Sequence, residues 1–157
     1  MDKYTLANMK EEITNVGGNK NSKPLITIVV DFDGTVVEHE YPRIGKENGN
    51  CSEILKRWID EYNVGIILDT MRSGKLLDVA VNWFAERGVS LYGVSEHPTQ
   101  KTWTSSPKCY GQFSIDDRNV GCPLISEVGK RERVDWDKIV EIFEPKLKEL
   151  SELLRWE

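Results

Sequence analysis

Residues 25–35 read Leu25-Ile26-Thr27-Ile28-Val29-Val30-Asp31-Phe32-Asp33-Gly34-Thr35. The first six are a continuous β-branched and apolar run, which stops at once on a carboxylate. Such a run describes a strand buried on both faces, the way strands of parallel sheets read. Parallel strands need crossover connections, so the neighbouring segments should contain helices.

They do. From Ser52, a candidate N-cap, Ile54, Leu55, Trp58, Ile59 and Tyr62 fall on one stripe with charged residues between them, the period of an amphipathic helix. A second apolar run over residues 64–68 ends at Asp69-Thr70, completing strand, helix, strand in the order of a right-handed crossover. Leu76, Leu77, Ala80, Val81, Trp83 and Phe84 mark a second helix closed by Gly88, and residues 89–92 a third strand. Residues 93–111 lose all periodicity and read as a long loop. Residues 113–115 form a short strand that delivers Asp116-Asp117, and residues 124–128 offer a weak fifth. Ile139, Val140, Phe143, Leu147, Leu150 and Leu154 then mark a last helix, which Pro145 should bend or divide. Residues 1–24 contain Gly17-Gly18-Asn19-Lys20-Asn21-Ser22 and read as an arm or linker before a domain of residues 25–157.

The 157 residues suffice for one core and are too few for two. With 21 Lys and Arg against 26 Asp and Glu, the formal charge of −5 argues against a general basic surface for nucleic acid. Three cysteines, Cys51, Cys109 and Cys122, have no CxxC spacing, so neither a disulfide framework nor a zinc site is expected. No run approaches a signal-peptide core or a membrane span, and a reducing cytoplasm is the default compartment.

Strands one, two and four each end in polar residues with carboxylates: Asp31-Phe32-Asp33, Asp69-Thr70 and Asp116-Asp117. In open parallel sheets ligands bind outside the carboxyl ends of the strands, so these groups should share one crevice. Crowded carboxylates repel, and the usual remedy is a hard divalent cation with oxygen ligands, here magnesium. Thr35, Thr70 and Lys108 would supply donors and countercharge to a phosphoryl oxygen. An aspartate can attack phosphorus, and a second acid two residues on can serve the leaving oxygen.

Asp31-Phe32-Asp33-Gly34-Thr35, Thr70, Lys108 and Ile115-Asp116-Asp117, in that order, resemble the four-motif set of haloacid dehalogenase-like phosphatases. The resemblance implies a Rossmann-like three-layer α/β/α sandwich with a mainly parallel sheet. It implies Asp31 as nucleophile, Asp33 as general acid and base, Thr70 as phosphate donor, and Lys108, in preference to Lys101, as the bridging cation. Magnesium would be held by Asp31, the backbone carbonyl of Asp33, and Asp116 or Asp117, with Asp116 the direct ligand and Asp117 its support. Neither interval between motifs leaves room for a cap domain, so the chain resembles capless members with open sites. Thr35, Arg72 and Arg43 are the expected substrate contacts, and residues 38–46 the substrate-facing loop.

The expected substrate is a phosphorylated small molecule or a nucleic-acid end, and a homo-oligomer is compatible with the open site. A competing reading is a phosphate-binding or regulatory module with the same fold and no turnover. A receiver-like phosphoacceptor would carry its acidic pair first, the reverse of the order here. His39 and His97 read as solvated loop residues, the three cysteines and Trp58, Trp83 and Trp136 as packing residues, and Trp103 as a loop residue able to stack on a ligand.

Overall fold

The computed structural model describes residues 23–155. The arm expected over residues 1–24 lies almost wholly outside them. The main sheet holds four parallel strands, β1 (Ile26–Val30), β2 (Val64–Leu68), β3 (Leu91–Val94) and β4 (Phe113–Ile115), in the order β3-β2-β1-β4. Ile26 lies beside Val64 and Val30 beside both Leu68 and Ile115, so β1 is flanked on both sides along its carboxyl half. Every residue of β1 and β2 is buried, as the unbroken apolar runs require.

Three helices, α1 (Cys51–Tyr62), α2 (Gly74–Glu86) and α3 (Trp136–Leu154), cover the sheet face carrying Ile26, Ile28 and Val30. Phe32 continues that face beyond the strand end and is fully buried, edge-on to Trp83 of α2 with ring centroids 5.8 Å apart. Trp58 of α1 meets Trp136 and Phe143 of α3, and Arg57 grips Glu144 with two bonds of 2.8 and 2.9 Å. The opposite face, with Val29 and Ile67, is covered by the connection after β3, where Gly111 lies against Val29 and Pro98 packs beside Gly93 of β3. Gln112 fastens this connection to β1, its Oε1 accepting from the Thr27 N–H (2.6 Å) and hydroxyl (2.8 Å). The molecule is therefore an α/β fold with a mainly parallel sheet, and no cap domain is present among the described residues.

Several local expectations change. Helix α1 begins at Cys51 after Asn50, and the Ser52 hydroxyl donates to Glu47 instead of capping. The third strand lies two residues later than expected, because residues 87–89 close α2: Gly88, at φ +69°, donates to Ala85 and Val89 to Phe84, the paired bonds of a Schellman motif. The weak fifth strand is β5 (Leu124–Ile125), which pairs antiparallel with β6 (Arg133–Val134) in a separate ribbon and does not extend the main sheet. Pro145 sits inside one continuous α3; burial of Trp136, Ile139, Leu147 and Ser151 on both sides of it outweighs the lost hydrogen bond.

Candidate active site at the carboxyl edge of the sheet

The chain turns sharply where β1 ends. Asp31 N–H still donates to the Ile115 carbonyl of β4 (3.1 Å), and Asp69 N–H to the Val30 carbonyl (3.0 Å), so both neighbouring strands flank Asp31. The Phe32 carbonyl then accepts from Thr35 and Val36, forming a tight turn. Gly34 stands in it at φ +80°, and a Cβ there would strike the His39 ring and the Asp117 carboxylate. Gly34→Ala is expected to cost about 1–3 kcal/mol from the backbone conformation alone. Urea denaturation checks this, and a loss under about 0.5 kcal/mol, the range of a neutral surface change, would show that the turn relaxes freely.

Asp31, Asp116 and Asp117 come together, each offering one carboxylate oxygen within 4.8 Å of the others. Burial first, and then the charge of Asp116, pushes the Asp31 carboxyl from its ordinary 3.8 up to about 8, against the hydrogen bonds it accepts from Thr35 and from the backbone of Phe32. Burial likewise raises Asp116, with Asp117 beside it adding to the effect. Three crowded carboxylates with hard oxygen donors are a donor set that suits a divalent cation such as magnesium.

The expected substrate contacts are rearranged. Thr35 is fully buried; its hydroxyl donates its only proton to Asp31 Oδ2 (2.9 Å) and accepts from Asp117 N–H (3.2 Å). It therefore braces the acidic cluster and has no proton left for a phosphate. Arg72 is only 3% exposed, and its guanidinium is committed to both oxygens of Asp33 and to two loop carbonyls, so it is no surface contact either. The Arg43 side chain lies in solvent and pairs with Glu40 (3.1 Å). Asp33 contributes no carboxylate oxygen to that cluster; both of its carboxylate oxygens accept from Arg72 instead.

Thr70 follows β2 half-buried, its hydroxyl accepting from Arg72 N–H (3.2 Å). Lys108 is exposed and lines an open cavity of about 310 Å³ with Trp103, Cys109 and Tyr110. Lys101 pairs with Glu96 (3.4 Å), whereas Lys108 has no ion pair among the described residues. The loop that carries Lys108 is held by a buried side chain that sequence reasoning missed: Gln100 Nε2 donates to the carbonyls of Ser106 (3.1 Å) and Lys108 (2.6 Å), while its Oε1 accepts from Tyr110 N–H (2.9 Å). His39, expected as a solvated loop residue, is largely buried. Its Nε2 lies 2.9 Å from Asp117 Oδ2, with both side chains 12% exposed. The cysteines are unbridged; Cys51 is buried with Sγ 3.2 Å from the Val36 carbonyl, and burial raises the Cys109 thiol to about 12.

A solved structure described as a conserved protein coded by a locus of Bacteroides thetaiotaomicron is 37% identical to this chain. The match covers 77% of this chain and 91% of that one, with a TM-score of 0.61. The chain belongs to that protein's family. No protein-family model matches the chain, and no curated protein does. Among the described residues no helix is long and apolar enough to cross a membrane.

Proposed function

We propose that this protein is a magnesium-dependent phosphomonoester hydrolase that works through an aspartyl phosphate on Asp31. The observation that supports it is the meeting of Asp31, Asp116 and Asp117 at the carboxyl ends of two adjacent parallel strands, with Thr35 bonded to Asp31 and to the backbone of Asp117. Asp31, the Asp33 carbonyl and Asp116 or Asp117 would hold the ion, which when bound would neutralise charge on the nucleophile and the phosphate.

The Thr35 hydroxyl fixes one Asp31 oxygen. An oxygen of Asp31 attacks phosphorus, the bond from phosphorus to the ester oxygen breaks, and that oxygen leaves with a proton from Asp33. Water then attacks the phosphorus of the aspartyl phosphate, passing a proton to Asp33; the bond from phosphorus to the Asp31 oxygen breaks, and inorganic phosphate departs with the Asp31 carboxylate restored. Thr70 and Lys108 are the candidate contacts to the phosphoryl oxygens. With no cap over the edge among the described residues, the substrate is a phosphorylated small molecule or a nucleic-acid end.

Phosphate release from nitrophenyl phosphate should require magnesium and stop when a chelator removes it. Turnover at the same rate in excess chelator overturns the metal-dependent mechanism. The full engagement of Asp33 by Arg72 favours a second reading, a phosphate-binding module without turnover. Binding of phosphate esters without phosphate release would select it.

A further inference from the structure

We propose that Arg72 is a positioning residue, a clamp that sets the Asp33 carboxylate and the loop of residues 38–46 in one joint arrangement. Four of the five guanidinium N–H groups are used. Nε and Nη2 each donate to a different oxygen of Asp33, both at 2.7 Å. Nη1 donates to the Pro42 carbonyl (3.0 Å) and Nη2 also to the Arg43 carbonyl (2.8 Å). The rings of Phe32 and Tyr41 lie 5.1 and 5.2 Å from the guanidinium carbon. A planar fork can hold a carboxylate with two parallel bonds and still reach two carbonyls; an ammonium has no such geometry.

The loop is pinned at its base as well, where Glu38 N–H donates to the Lys46 carbonyl (2.8 Å) and Val37 bridges Glu47. Its middle is held to the domain through Arg72, whose own backbone is set by the Thr70 hydroxyl one turn beyond β2. Thus β2, the acid after β1 and the expected substrate-facing loop meet at one buried side chain. The catalytic half of this proposal rests on Asp33 serving as the acid and base of the proposed reaction; the structural half does not.

Arg72→Ala and Arg72→Lys test it beside the wild type. The bond after Arg43 has as its carbonyl the one that Arg72 holds, while the Arg43 side chain is open to trypsin. Cleavage there should be slow in the wild type and faster by about tenfold or more in both variants, since it follows the population of the released loop. With nitrophenyl phosphate, kcat should fall on the order of 100-fold in the alanine variant, the scale of a misplaced acid and base. Arg72→Lys should recover part of that loss, and combining Arg72→Ala with Asp33→Asn should be no slower than Asp33→Asn alone. Manganese affinity, which reports Asp31, Asp116, Asp117 and the Asp33 carbonyl, should stay within about twofold, because Arg72 holds the Asp33 carboxylate and not its carbonyl. Unchanged kcat in both variants, or an Arg43 bond as resistant as in the wild type, overturns the proposal. If the wild type turns over no phosphate ester, the proposed function fails and the trypsin rates alone decide the clamp. Should Arg72→Ala not fold, by far-ultraviolet circular dichroism, Arg72→Lys carries both measurements.

Discussion

Asp31→Asn is expected to lose on the order of 10⁴-fold or more in phosphate release, the scale of removing a nucleophile that acts with its partners as a unit. The same substitution should make the cation-free protein more stable at pH 8. Asn matches Asp in shape and can still accept from the Thr35 hydroxyl, so the packing around β1 has no cause to change. What disappears is a buried carboxylate repelled by Asp116 and Asp117. Relief of about 2 kcal/mol would raise Tm by about 4–8 °C in a chain of this size. Activity lost together with stability would point to a damaged fold. Activity lost while Tm rises isolates the chemical role, because the residue is then costly to the fold and indispensable to the reaction. Turnover retained in Asp31→Asn would eliminate the aspartyl phosphate.

The first two strands could be located in the chain because strands buried on both faces leave a clear pattern. Residues 25–30 and 64–68 are apolar without alternation, and each ends on a carboxylate. Those two facts alone bring Asp31 and Asp69 to one edge, where the backbone bond from Asp69 to Val30 joins them. Asp116 and Asp117 follow in the same way from a three-residue strand. Side-chain partners set by loops left no comparable trace. His39 reaches Asp117 across 78 positions, and only the tight turn at Gly34 brings them together. Arg72 did carry a signal, since it lies two residues past Thr70, just beyond the strand next to β1. A surface contact and a buried clamp have the same sequence, however, and what separates them is that residues 40–43 fold back over the guanidinium. Gln100 and the ribbon of β5 and β6 belong to the same class, polar or short segments whose place depends on what packs against them.

Stability itself should report the acidic cluster through its pH dependence. The Asp31 carboxyl is raised in the fold from 3.8 to about 8, so between these values the native state keeps a proton that the unfolded chain has released. Stability then falls as pH rises, fully present below about 3.8 and lost by about pH 8. A single proton limits the slope to about 1.4 kcal/mol per pH unit. Asp116, raised by burial and by Asp117, acts in the same direction. Ordinary carboxylates paired in the native state oppose this trend, so the difference between wild type and Asp31→Asn is the quantity to follow. In chelator, denaturant titrations at pH 5, 6, 7 and 8 should find the two proteins converging at the acid end and the wild type progressively weaker toward pH 8. Magnesium or manganese should close the gap from the other side, because a cation that binds only the folded state adds about 2.7 kcal/mol at a hundred times its dissociation constant. Its effect must grow with pH, since it competes with the proton that Asp31 holds. Asp31→Asn should lose most of the cation effect while keeping the fold. A wild type that is equally stable at pH 5 and pH 8 relative to Asp31→Asn, with no response to either cation, would mean that the three carboxylates neither repel one another nor form a metal site.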